Sequence, residues 1–170
     1  MARHRRKLIY LLGFMGSGKS TIGELLARRI GWPFIDLDAT IEAGQAVSIR
    51  DIFENAGENF FRQIEHAALV EASRSEPAVI SLGGGTWIQK SNMDFIRATE
   101  GTTIWLDCGL EELRQRCASV QNRPLFKDPE SFAQLYSERE PYYRLAEHRV
   151  TTEGLTPSEV VEEILRLKLF

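Results

Sequence analysis

Lys7-Leu8-Ile9-Tyr10-Leu11-Leu12-Gly13-Phe14-Met15-Gly16-Ser17-Gly18-Lys19-Ser20-Thr21 is the stretch that decides the fold. The apolar run from Lys7 to Leu12 has strand length and no polar alternation, which suits a strand covered on both faces. Gly13 then opens the phosphate-loop pattern of Gly, four residues, and Gly18-Lys19-Ser20. Such a loop wraps a phosphate with inward-pointing backbone N–H groups, and the helix behind it adds the positive end of its dipole. Lys19 reaches the β- and γ-phosphates in this pattern, and the Ser20 hydroxyl is a magnesium ligand. The chain's own composition gives roughly 0.003 matches by chance, so a mere glycine-rich turn is a poor account of it.

Outward from this motif, strand and helix signals alternate. Ser20 to Ile30 carries Ile22, Leu25, Leu26 and Ile30 at helical spacing and stops at Gly31. Residues 33–38 read as a short strand ending in carboxylates, and Ser48 to about Ser73 as a helix interrupted near Gly57. Pro77 to Leu82 is a third strand closed by Gly83-Gly84-Gly85, and Thr102 to Leu106 a fourth, followed by a helix from about Leu110 to Ala118. Gln121 to Pro129 is polar and proline-punctuated, hence loop. Ser131 to Arg144 reads as helix despite Pro141, His148 to Thr152 as a last strand, and Pro157 to Leu167 as a closing helix with proline in its first turn. The alternation predicts an α/β class, a parallel sheet flanked by helices on both faces. No repeat or linker divides the 170 residues, so the expectation is one domain over 1–170.

Composition narrows the function. The chain is 43% hydrophobic and 26% charged, enough for a real core. Its net charge of −3 argues against a nucleic-acid-coating protein. The 16 arginines against 5 lysines favour forked capture of carboxylate or phosphate. Cys108 and Cys117 are too few for a disulfide framework and have no metal-ligand spacing, which predicts reduced thiols and a cytoplasmic location. Arg3-His4-Arg5-Arg6-Lys7 before Leu8 to Leu12 mimics part of a signal peptide, but the apolar run breaks at Gly13 and a buried strand explains it as well. Nothing in the chain is long and apolar enough to suggest a membrane span.

A phosphate loop specifies a nucleotide, not a reaction. The guanine-reading Asn-Lys-x-Asp of a switch GTPase is missing from the sequence, and a motor would need a larger body. A small-molecule kinase needs an acceptor site near the γ-phosphate. Asp36 and Asp38, read at i and i+2 at the end of the second strand, would share a face at the crevice where α/β sheets bind ligands. One carboxylate would serve magnesium and the other an acceptor hydroxyl. The competing reading is a helix cap, for which Asp38, ahead of Ala39-Thr40-Ile41, is the better placed of the two.

The phosphate loop, Phe34-Ile35-Asp36-Leu37-Asp38, Gly57-Glu58…Phe60-Phe61-Arg62…Glu65, Ser81-Leu82-Gly83-Gly84-Gly85, Arg123-Pro124-Leu125 and Arg139-x-Pro141-x-Tyr143 together resemble the shikimate kinase family in order and spacing, from Leu8 to about Val161. The resemblance implies the three-layer P-loop kinase fold, a five-stranded parallel sheet flanked by helices, with an acceptor-binding segment over about 38–74 and a lid over about 119–130. It implies transfer of the γ-phosphoryl of ATP to the 3-hydroxyl of shikimate by a monomer, on the route to chorismate and aromatic amino acids.

By the same resemblance ATP would lie on Gly13, Met15, Gly16, Ser17, Gly18, Lys19, Ser20 and Thr21. Arg116 would stack on adenine, Arg123 would close over the transferring phosphoryl, and Ser20 and Asp36 would hold Mg2+ with Ser81 near its water shell. Shikimate would be held by Asp38, Arg62, Gly84, Gly85 and Arg139, with Lys19, Asp38 and Arg123 catalytic. Glu65, one turn beyond Arg62, would orient its guanidinium; alone, the pair reads as an ordinary surface i,i+3 pair. Arg139 alone reads as part of a solvated helix face beside Glu138 and Glu140. The chain departs from the family at Gly154-Leu155-Thr156-Pro157, where a second adenine-stacking Arg is missing. The rivals are a kinase of the same architecture for gluconate or a nucleoside monophosphate, and a non-catalytic regulator that binds ATP or shikimate. Intact Lys19, Asp36, Asp38 and Arg123 speak against the regulator.

Overall fold

The apolar run after Lys7 becomes the middle of the sheet. In the computed structural model, which describes residues 7–118 and 128–170, β1 (Leu8–Leu12) is buried along its whole length. Successive side chains leave opposite faces of a strand. Leu8, Tyr10 and Leu12 therefore enter one core, and Ile9 and Leu11 the other. β1 pairs in parallel with β3 (Ala78–Ser81) on one side and β4 (Thr102–Asp107) on the other. β2 (Phe34–Asp36) and β5 (His148–Thr151) complete the order β2-β3-β1-β4-β5.

Two helices cover one face. Ile22, Leu26 and Ala27 of α1 (Lys19–Ile30) and Val160, Val161 and Ile164 of α7 (Pro157–Arg166) pack with Ile9, Leu11, Val79, Ile104 and Leu106. The other face is closed by α2 (Leu37–Gln45), α3 (Ile49–Ala72), α4 (Lys90–Ala98), α5 (Leu110–Ala118) and α6 (Pro129–Tyr143). Leu37, Ile41, Ile52, Phe61, Leu69, Met93, Ile96, Leu113, Phe132 and Tyr143 are their contributions. Gly57 has φ 85° and ψ 170°, off the helical region, and breaks α3 where the sequence predicts. No helix among the described residues is long and apolar enough to cross a membrane.

Two expectations need correction. The second strand does not run to Asp38: its pairing with β3 ends at Asp36 opposite Ser81, and α2 starts at Leu37. Asp36, not Asp38, is the cap, its Oδ1 accepting from Ala39 N at 3.1 Å. Helix α4 was not among the predicted elements. Its exposed polar residues outweigh a short buried face of Asn92, Met93 and Ile96, so its signal is weak without the surface it packs on. The predicted lid, about 119–130, lies almost wholly outside the described residues.

Candidate active site

In this strand order β1 and β3 are neighbours whose helical connections leave in different directions, which opens a crevice at their carboxyl ends. A cleft of about 1220 Å3 lies there. Its floor at one end is the loop after β1. Gly18 caps α1 in the left-handed region at φ 92°, which costs little only without a Cβ. Lys19 Nζ donates to Gly13 O at 2.8 Å and Phe14 O at 3.1 Å, which lays the ammonium along the inside of the loop. Met15, Gly16, Gly18, Lys19, Ser20 and Thr21 line the cleft. Ser17 does not: its side chain is fully buried and its amide donates to Phe14 O at 3.1 Å.

Arg116 reaches this end from α5. It pairs with Glu112, and its Nη1 donates to Gly16 O at 3.1 Å. Thr152, Leu155, Pro157 and Val160 line the same end, so an apolar surface stands where the family pattern leads one to expect a second cation. Arg114 Nη2 donates to Pro129 O at 3.2 Å and ties α5 to the start of α6. Arg123 lies outside the described residues.

Asp36 sits where the two ends meet. Ser20 Oγ donates to its Oδ2 while its Oδ1 caps α2, so one carboxylate ties the loop helix to the acceptor segment. A hydroxyl and a carboxylate in contact form a hard oxygen pair, the donor chemistry that suits Mg2+. Asp38, in the first turn of α2, also lines the cleft. Burial pushes its carboxyl up from 3.8 to about 6; Lys19 opposes this, and Asp36, Glu65 and Glu42 add to it.

The far end is built from three segments that meet at the turn after β3. A Cβ on Gly83 would lie 2.8 Å from Asp38 Oδ1, on Gly84 2.9 Å from Arg139 Nη1, and on Gly85 2.7 Å from Arg62 Nη2. The three glycines thus make room for three functional side chains, one each. Arg62 donates from Nη1 to Glu65 Oε1 at 2.8 Å and lies 3.4 Å from Glu58. Glu65 is 1% exposed, so this is a buried pair and not a surface one. Arg139 is 8% exposed, its guanidinium over the Phe14 ring at 5.9 Å. The solvated face beside it belongs to its neighbours, Glu138 receiving Gln134 and Glu140 pairing with Arg144.

Sequence reasoning missed the residues that fasten this end. Tyr143 Oη donates to Gly84 O at 2.6 Å, and Trp87 Nε1 to Tyr142 O at 2.8 Å, so α6 is tied to the glycine turn twice. Burial raises the Tyr143 phenol well above its usual value, keeping it a donor. Thr86 Oγ1 donates to Glu65 Oε2 at 2.7 Å. Their places beside Gly85 and in Arg139-x-Pro141-x-Tyr143 were the available signal.

The sequence profile of shikimate kinase matches residues 15–168. The chain belongs to the shikimate kinase family. Among curated relatives, the shikimate kinase of Sulfurihydrogenibium sp. is 43% identical over 160 residues, 94% of this chain and 96% of that protein. Among solved structures, shikimate kinase from Acinetobacter baumannii in complex with shikimate superposes with a TM-score of 0.90 at 34% identity, covering 95% of this chain and 92% of that one. A gluconokinase from Sinorhizobium meliloti reaches a TM-score of 0.63 at 20% identity, covering 99% of this chain and 100% of that one, a likeness of fold alone. The shikimate kinase matches thus coincide with the five-stranded parallel sheet and the P-loop described above.

Proposed function

We propose that this chain transfers the γ-phosphoryl of ATP to the 3-hydroxyl of shikimate, giving shikimate 3-phosphate and ADP, on the route to chorismate and aromatic amino acids. The observation that carries this reading is the convergence of Arg62 and Arg139 on Gly84 and Gly85, beside Asp38 on Gly83. Two guanidinium forks suit an acceptor with a carboxylate, and a carboxylate base beside them suits a hydroxyl on the same ring. A neutral acceptor gives no reason for two guanidiniums at this end, one buried and one half-buried, whereas gluconate shares the carboxylate and is separated by turnover across the acceptors below.

The division of labour follows from charge and position. Met15, Gly16, Gly18, Lys19, Ser20 and Thr21 would cradle the phosphates, with Lys19 on the β- and γ-phosphates, and Arg116 with Leu155 opposite would hold the adenine. Ser20 and Asp36 would hold Mg2+, which when bound neutralises charge on the phosphate oxygens. Arg62 and Arg139 would fix the acceptor's carboxylate and so aim its hydroxyl at Asp38. A carboxyl pushed up to about 6 remains mostly ionised at neutral pH and is a stronger base than an exposed aspartate. Because the transferred phosphoryl passes through a loose transition state, aiming the hydroxyl and accepting its proton as the bond forms is sufficient. Arg123 would balance charge on the phosphoryl oxygens from the lid. The reading includes one domain over 1–170, with the acceptor segment at about 38–74 and the lid at about 119–130. It also includes a cytoplasmic monomer, on family resemblance and on cysteines that carry no disulfide.

The test is turnover with ATP and Mg2+ across shikimate, shikimate lacking its carboxylate, gluconate and nucleoside monophosphates. Shikimate is expected to give the highest kcat/KM by at least about 100-fold. Comparable turnover of gluconate or a nucleotide would overturn the reading.

A further inference from the structure

Arg62 has two carboxylates within reach. Glu58, one turn back, is 63% exposed and 3.4 Å away; Glu65, one turn on, is 1% exposed and 2.8 Å away. One pose serves both acids: Nη1 is held by buried Glu65, while Nη2 reaches Glu58 at the surface and lies against Gly85, 2.7 Å from a would-be Cβ. What fixes the Nη1 side of the guanidinium is Glu65. Its Oε1 faces Arg62 because its Oε2 is taken by Thr86 Oγ1 at 2.7 Å. Thr86 is itself fully buried, and its carbonyl receives Asn92 Nδ2 at 3.0 Å from α4. Asn92 is fixed in turn, its Oδ1 lying 2.7 Å from His66 Nδ1.

We infer that Thr86 is a positioning residue for acceptor binding: its hydroxyl pins Glu65, which anchors Arg62 Nη1 and so keeps Nη2 against the glycine turn. A β-branched residue directly after three glycines is suited to this, since its χ1 is stiff and its hydroxyl direction is set by the backbone. Asn92 and His66 brace that backbone from α4 and α3. The inference rests on Arg62 being the carboxylate anchor, and its test separates the two claims.

The decisive substitution is Thr86→Val, which keeps shape and removes the hydroxyl, measured beside Thr86→Ser, Arg62→Lys and Arg62→Lys combined with Thr86→Val. KM for shikimate is expected to rise about 5- to 20-fold in Thr86→Val, with KM for ATP within about twofold of the parent. Thr86→Ser is expected to restore the parent KM within about twofold. In the Arg62→Lys background, Thr86→Val should raise KM little further, because the residue it aims is already lost. A lowered Tm with an unchanged KM for shikimate would overturn the inference and leave Thr86 a core residue. So would equal fold-changes with and without Arg62→Lys. Should Thr86→Val not fold, Thr86→Ala and Asn92→Ser answer the same question by the same criteria. If Arg62→Lys itself left KM for shikimate unchanged, the anchor reading and the inference would both fall; if only Thr86→Val were silent, the inference alone would.

Discussion

The two ends of the cleft are built on different principles. The loop end, 13–21, is one continuous strand-loop-helix whose own backbone does the binding, with Lys19 held by carbonyls five and six residues away. The acceptor end draws Asp38 from α2, Arg62 and Glu65 from α3, Arg139 from α6 and three glycines from the turn after β3. It is held by side chains, several of them buried and charged, paired over separations of up to 59 residues. The loop end should therefore fail only when its own atoms are changed, while the acceptor end should respond to residues that never meet the acceptor.

The largest effect expected is at the loop end. Lys19→Ala should lower kcat by about 100- to 1000-fold, since Lys19 is the cation laid along the inside of the loop by the loop's own carbonyls. Steady-state turnover within threefold of the parent would break the comparison at its firmer side. Next, Asp38→Asn should lower kcat by about 100-fold or more while calorimetric binding of shikimate stays near the parent's, because shape survives and the base does not.

Arg62→Lys sharpens the acceptor side. One ammonium cannot reproduce a fork, and a lost charge-assisted bond of about 1.5–3 kcal/mol corresponds to a 10- to 150-fold rise in KM for shikimate. KM for ATP should scarcely move. An acceptor without the carboxylate should be weakened similarly with the parent and should barely distinguish parent from variant; unequal behaviour is the signature of a direct contact.

The smaller effects concern pH. Asp38 must be ionised to accept a proton, so kcat/KM for shikimate should fall about tenfold per pH unit below about 6. A limb near 4 would show that burial does not raise this carboxyl. The same shift has a stability consequence. The folded state holds the Asp38 proton more tightly than the unfolded chain, so folding loses stability as pH rises from about 4 through about 6, and the loss is complete above that. Asp38→Asn should then be more stable than the parent at pH 7–8, by on the order of 1–3 kcal/mol, with the gap closing below pH 4. Chemical denaturation at both pH values measures it. A destabilised Asp38→Asn at neutral pH would mean instead that the ionised carboxylate strengthens the start of α2 by more than its burial costs.

The sequence by itself determined the α/β class, the central strand and the nucleotide loop, because each is written in contiguous residues. An unbroken apolar run is a strand buried on both faces, and the loop's chemistry is in its own backbone. It also contained Asp38, Arg62, Gly84, Gly85 and Arg139 as a pattern, though not Thr86 and Trp87, which fasten them. What it could not decide was where a strand stops or what a side chain faces. By local preference Asp38 is the better candidate for a cap; pairing with Ser81 of β3 ends the strand at Asp36 and hands the cap to Asp36 instead, which frees the Asp38 carboxylate to line the cleft. Arg139 lies among glutamates and reads as surface, yet α6 lays it across Phe14 and against Gly84. Glu65 reads as a partner worth tenths of a kcal/mol in water, and becomes a buried acid fixed by a threonine 21 residues away. These are long-range facts. Burial, and with it the strength of every charge, is set by what the rest of the chain packs on top.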